Sequence, residues 1–101
     1  MTVFESKINV NSESYSSNRS EMLDVIEKMN SLLKRAEDLS EKRKPRFLER
    51  NQLTPRERLM HLLDSGMPFL ELANMGGFLL DVPDREKSVP GASLISGIGF
   101  I

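Results

Sequence analysis

Apolar residues at Met22, Val25, Ile26, Met29, Leu32, Leu33, Ala36 and Leu39 recur at gaps of three and four. That spacing puts them on one face of a helix with a period of about 3.6 residues. Ser20 is placed to accept a backbone N–H as the N-cap, and Glu21 and Asp24 suit the positive end of the helix. The spacing predicts a helix over Ser20–Arg43, about six turns at a rise of ~1.5 Å per residue. The far face carries Glu27, Lys28, Asn30, Ser31, Lys34, Arg35, Glu37 and Asp38, the mark of a solvated side. A stripe this long needs an equally long apolar surface to cover it. The chain has 101 residues, 39% of them hydrophobic, with five Phe, one Tyr and no Trp. A domain of this size buries roughly 60–70% of its unfolded surface and stands alone only with a good core. Such a composition leaves the stripe dependent on cover from elsewhere.

Around that helix the chain divides into three parts. Residues 1–19, polar with a Ser/Asn cluster, read as a flexible N-terminal arm whose Val3–Phe4 patch is able to dock on a neighbour. Residues 20–50 form a helical segment, with a break or kink expected at Pro45 because proline removes a donor and crowds the preceding turn. A short helical piece over Arg46–Arg50 follows. In residues 51–101 the best-signalled element is a second helix. Thr54 is its N-cap, Pro55 occupies the first helical position, and Glu57 three residues on completes a capping box. This helix is expected to reach about Asp64 with Leu59, Leu62 and Leu63 inward. Gly66 supplies a left-handed C-terminal turn, and Pro68 prevents continuation. Phe69–Leu72 reads as a short strand or extended stretch. Gly76–Gly77 permits unusual backbone angles or the close approach of another segment. Asp81–Pro90 is a charged surface loop. Ala92–Ile101 is a strand by composition, with Gly97 and Gly99 inside it and no partner evident in the chain. A lone strand cannot satisfy its own backbone donors and acceptors.

The chemistry on offer is sparse. Fourteen basic and fifteen acidic residues leave a formal net charge of -1, which does not call for nucleic acid. The basic run Lys42-Arg43-Lys44 is read as a solvated helix end, where cations complement the dipole, rather than a nucleic-acid patch. There is no cysteine, so no disulfide framework or thiolate metal site. The start, MTVFESKINV, has neither the basic opening nor the apolar stretch of a signal peptide, and no apolar run approaches the ~20 residues of a membrane span. A cytoplasmic protein without a membrane or nucleic-acid partner is the expectation. His61 is a lone helical histidine, more at home on a surface or core edge than as a general base. Arg56 and Arg58 stand near a helix start, where a phosphate such as that of coenzyme A binds well. The competing reading pairs them with Glu49, Asp64 or Glu71. The Gly76–Gly77 and Gly97-Ile98-Gly99 pieces match no phosphate-loop pattern.

The run LTPRERLMHLLDSGMPFLELANMGGF, Leu53–Phe78, followed by PGASLISGIGFI, Pro90–Ile101, carries more information than any single residue. It resembles the N-terminal segment of the carboxyltransferase (beta) subunit of biotin-dependent acyl-CoA carboxylases. In that family an Arg-Glu-Arg helix ends in Leu-Leu-Asp, then Gly and Phe-x-Glu-Leu, and a strand of the form (Ile/Val)-(Ser/Thr)-Gly-Ile-Gly follows. The Gly-Gly-Phe and Leu-Ile-x-Gly-Ile-Gly-Phe pieces look closest to members acting on methylcrotonyl- or geranyl-like acyl-CoAs. Asn51 stands where family members commonly have Gly, and Pro90-Gly91-Ala92-Ser93 is a reduced form of a glycine-rich stretch.

The resemblance implies an α+β segment of a crotonase-like fold: a long N-terminal amphipathic helix, a short capped helix, then the first strand or strands, with the domain truncated. It implies carboxyl transfer from carboxybiotin to a branched unsaturated acyl-CoA by the full-length protein. The partners it implies are the rest of the subunit, other beta subunits in a homo-oligomer, and a biotin-carrying alpha subunit. It places no catalytic, cofactor-binding or metal residue within residues 1–101; Thr54, Glu57 and Gly66 enter only as capping residues, and Ser96–Gly99 as a strand motif. The alternative, a free-standing helical interaction module, accounts for the long stripe but has no use for the Gly-Ile-Gly strand.

Overall fold

A computed structural model describes residues 2–101; Met1, the first residue of the expected arm, lies outside them. The elements in order are α1 (Glu13–Glu49), α2 (Pro55–Leu62), β1 (Leu70–Leu72) and β2 (Ser96–Ile98), a small α+β arrangement. The chain forms two compact units, one ending at Asn30 and the other comprising Ser31–Ile101, and α1 contributes to both.

In the first unit, residues 3–9 take no regular structure and are exposed. Helix α1 then begins at Glu13, well before Ser20, so Ser20 lies inside the helix instead of capping it. The cap is Ser12: its Oγ accepts the Tyr15 N–H at 3.2 Å, and its carbonyl accepts the Ser16 N–H at 3.1 Å. Tyr15 also extends the stripe backwards, standing seven residues before Met22 and half-buried. From residue 21 to 30 every side chain is exposed, including Met22 (60%), Val25 (59%) and Met29 (43%).

The second unit covers the rest of the stripe in part. Leu32, Leu33, Ala36 and Leu39 are half-buried. The expected break at Pro45 does not occur: α1 runs through it to Glu49. Proline removes one donor, but its side chain is exposed here and the helix is closed firmly beyond it. Gln52 N–H donates to the Phe47 carbonyl at 2.8 Å and Asn51 N–H to Leu48 at 3.0 Å, with Asn51 left-handed at φ 58. This pair of bonds is a Schellman closure in which Asn takes the position usually held by glycine.

Helix α2 ends at Leu62, earlier than Asp64, because Leu63 turns extended (φ -81, ψ 149) and the Asp64 N–H leaves the helix to donate to the Phe100 carbonyl at 2.9 Å. Gly66 is left-handed (φ 79), but it serves the following Asp64–Met67 turn, not the helix terminus. Leu59 and Leu63 are half-buried, while Leu62, expected inward, is 57% exposed.

The last strand has a partner after all. It is shorter than Ala92–Ile101, and it pairs antiparallel with β1 in the register Leu70↔Ile98, Glu71↔Gly97 and Leu72↔Ser96. Ser96 Oγ reinforces the pair by donating to the Leu72 carbonyl at 3.0 Å. The double glycine accommodates a close approach: Gly91 N–H donates to the Gly76 carbonyl at 2.9 Å, and a Cβ on Gly77 (φ 74) would sit 3.1 Å from that of Ala92. Among the described residues no aliphatic, aromatic or methionine side chain is fully buried; Thr54, Ser88 and Pro90 are the buried ones.

Candidate functional site

The start of α2 gathers a cluster of paired charges. Thr54 Oγ1 accepts the Glu57 N–H at 3.3 Å, and Glu57 Oε2 accepts the Thr54 N–H at 2.9 Å. Both halves of the capping box are therefore present, and Pro55 stands at the start of the helix. Lys44 Nζ reaches the same carboxylate at 2.7 Å. Donation by Lys44, then by the Thr54 backbone, holds the Glu57 carboxyl down to about 2 from 4.5, and Glu57 in turn raises the Lys44 ammonium. A depressed carboxyl stabilises the fold above its ordinary pKa, and that contribution is lost as pH falls toward 2. The raised Lys44 contributes below its ordinary 10.5 and loses its effect in alkali above that value. Acid titration of thermal unfolding is thus expected to show a loss of stability between about pH 4.5 and 2 that Glu57→Gln flattens. An unchanged profile in that variant would assign the acid loss to other carboxylates.

Arg56 is also spoken for. Its guanidinium grips Glu71 of β1 through both terminal nitrogens, at 3.2 and 3.4 Å. Of the two readings of Arg56, the structure shows the intramolecular pair. Arg58 lines an open concavity with Phe47, Gln52 and Leu53. His61 is exposed. Gly97 and Gly99 lie in and beside β2, packed under Phe69 and Leu63, and form no phosphate loop.

One clasp escaped sequence reasoning. Arg35 Nη1 donates to the carbonyls of Arg85 (2.6 Å) and Ser88 (3.1 Å). Ser88, only 2% exposed, accepts the Leu79 N–H on Oγ at 2.9 Å and donates its own N–H to the Asp84 carbonyl at 2.8 Å. No local signal marks this pair, because the partners lie far apart in sequence and Arg35 stands on what reads as a solvated face.

Biotin or the phosphates of coenzyme A would require converging donors around a cavity. The cations best placed for it, Arg35, Lys44 and Arg56, point their donors at the protein's own carbonyls and carboxylates. No buried side-chain nitrogen or oxygen among the described residues lacks a partner. These three cations therefore offer no free donors to either group. Nor do the described residues contain a cluster of three or more His, Cys, Asp or Glu able to hold a metal, or a helix long and apolar enough to cross a membrane.

What the segment does present is, in chain order, a long helix, a capped helix and a glycine-bearing strand pair, and that arrangement recurs in a known protein. It overlays on the beta subunit of geranyl-CoA carboxylase from P. aeruginosa with a TM-score of 0.80 and 37% identity, over 99% of this chain and 18% of that one. The chain matches part of an acyl-CoA carboxylase beta (carboxyltransferase) subunit. The mitochondrial methylcrotonoyl-CoA carboxylase beta chain of Arabidopsis thaliana is 38% identical over 92 residues, 90% of this chain and 15% of that protein. The biotin-dependent 3-methylcrotonyl-coenzyme A carboxylase beta1 subunit of Mycobacterium tuberculosis (strain ATCC 25618 / H37Rv) is 43% identical over 79 residues, 76% of this chain and 14% of that protein. The chain thus spans about a seventh of the length of these curated relatives. No family model matches it. Asn51 in the left-handed conformation explains how the chain does without the glycine common at that position in the family it resembles.

Proposed function

We propose that this chain is the N-terminal segment of a crotonase-like carboxyltransferase subunit and that its role there is architectural. In this reading the whole subunit transfers a carboxyl group, delivered on the biotin of an alpha subunit, to a branched unsaturated acyl-CoA. It works in a homo-oligomer in the cytoplasm. An enolate or dienolate of the substrate needs preorganised backbone N–H donors, and other parts of the subunit supply them. The residues of this segment hold one another: Thr54 and Glu57 start α2, Arg56 ties it to β1, and Phe100 receives Asp64. The observation that carries the reading is the likeness to carboxylase beta subunits at 37–43% identity, together with a segment in which, among the described residues, no Val, Leu, Ile, Met, Phe or Tyr side chain is fully buried. Such a segment requires cover, and the remainder of a carboxyltransferase subunit offers it.

The isolated 101-residue chain is expected to show no carboxyl transfer when supplied with carboxybiotin and methylcrotonyl-CoA. Measurable turnover would overturn the architectural role. Supplied together with the remaining part of a carboxyltransferase subunit as a separate polypeptide, it is expected to co-purify and support activity. Failure to bind would favour the free-standing interaction module, to which the exposed Met22–Met29 face lends itself.

A further inference from the structure

The first unit carries an apolar face whose flanking charges are ordered for one kind of occupant. Met22, Val25, Ile26 and Met29 are 39–60% exposed, and Tyr15 continues their line towards the helix start. Beside that face, on its Val25 edge, stand Glu21 near one end and Lys28 near the other. In an antiparallel pair of identical helices the same edges meet with their order reversed, so an acidic end faces a basic end twice. In a parallel pair, Glu21 and Lys28 face Ile26 and Leu33 of the other helix, and no ion pair forms.

We propose that residues 13–30 of α1 form a self-complementary antiparallel docking face for a second copy of this chain. In the register that opposes Glu21 to Lys28, Met22 packs on Val25 of the other copy and Val25 on its Met22. Two symmetric Glu21–Lys28 pairs flank this centre. The contact is short, about 27 Å of helix at ~1.5 Å per residue, so association is weak and concentration-dependent. The inference rests on the first unit alone and stands whether or not the carboxylase reading holds.

Sedimentation of the full chain over a wide concentration range is expected to show a mass rising from 11.5 kDa towards twice that value. Val25→Glu places two charges at the centre and is expected to weaken the dimer by about a hundredfold. Glu21→Lys turns both ion pairs repulsive and is expected to cost about tenfold, as is Lys28→Glu. Combining the two swaps restores the pairs and is expected to recover the dimer. All three positions in these tests are exposed helical sites, and equal helicity by circular dichroism confirms that each of the four variants folds. A chain that stays monomeric, as when some other surface covers this face, overturns the proposal. So does a dimer indifferent to Val25→Glu, or one that the double swap does not recover.

Discussion

Gly97→Val is expected to abolish the β1–β2 pairing, lowering the stability of the second unit by about 2–3 kcal/mol. Gly97 stands opposite Glu71 in the ladder, and a Cβ built on it meets the Phe69 ring and lies 2.5 Å from the Leu70 carbonyl oxygen. A ring is able to swing aside. A backbone carbonyl of the paired strand is not, unless the strands part. Separation would also strain the Asp64–Phe100 bond that ties the end of α2 to the segment after β2. Gly99→Ala is the informative comparison. Its nearest neighbour is a Leu63 methyl at 2.6 Å, the mobile end of a side chain, so the expected cost is about 1 kcal/mol. Hydrogen exchange reads the difference: protection over Leu70–Leu72 and Ser96–Ile98 is expected to vanish in Gly97→Val and to survive in Gly99→Ala. Retained protection in the valine variant would show that the close packing around Gly97 does not limit the pairing.

Arg35→Met is expected to release the Asp81–Pro90 loop and to destabilise the second unit by about 2 kcal/mol. Methionine retains most of the apolar stem, so the loss falls on the guanidinium and its two carbonyl acceptors at Arg85 and Ser88. Hydrogen bonds from a charged donor contribute roughly 1.5–3 kcal/mol each, and rehydration of the exposed Arg85 side recovers part of that. The Ser88 carbonyl has less recourse, since Ser88 is 2% exposed and already engaged through both its hydroxyl and its N–H. Arg35→Lys is expected to rescue only partly, because both bonds come from the single Nη1 nitrogen and an ammonium on a different stem does not place its donors at that point. Faster proteolysis within Asp81–Pro90 together with a lower unfolding temperature is the expected outcome. A variant as resistant as the parent would remove the clasp from any account of this loop.

The most legible parts of the chain are those whose partners lie within one helical turn. Thr54, Pro55 and Glu57 announce the start of α2 because a capping box closes over three residues, and the atoms that make it are adjacent in sequence. The stripe from Met22 to Leu39 announces α1 for the same local reason. Where local signals compete, reading fails. Ser20 reads as the cap, yet Ser12 takes that role, its Oγ accepting the Tyr15 N–H, and the helix starts at Glu13. Pro45 reads as a stop, yet the Schellman closure at Asn51–Gln52 holds the helix past it at the loss of a single donor. Arg56 illustrates a third case: anion site and ion pair were both open until β1 set Glu71 beside it.

By itself, then, the sequence of this chain determined that there are two helices, the Thr54–Glu57 capping box, its likeness to carboxylase beta subunits and the uncovered apolar face. Each depends on residue identities at short spacing or on motif order. Only the tertiary structure decided that β2 has a partner in Leu70–Leu72, and that Arg35 closes the loop carrying Ser88. The physical reason is that backbone hydrogen bonds between distant segments carry almost no residue signature. A three-residue strand and a buried carbonyl are satisfied by whatever group the fold brings within about 3 Å.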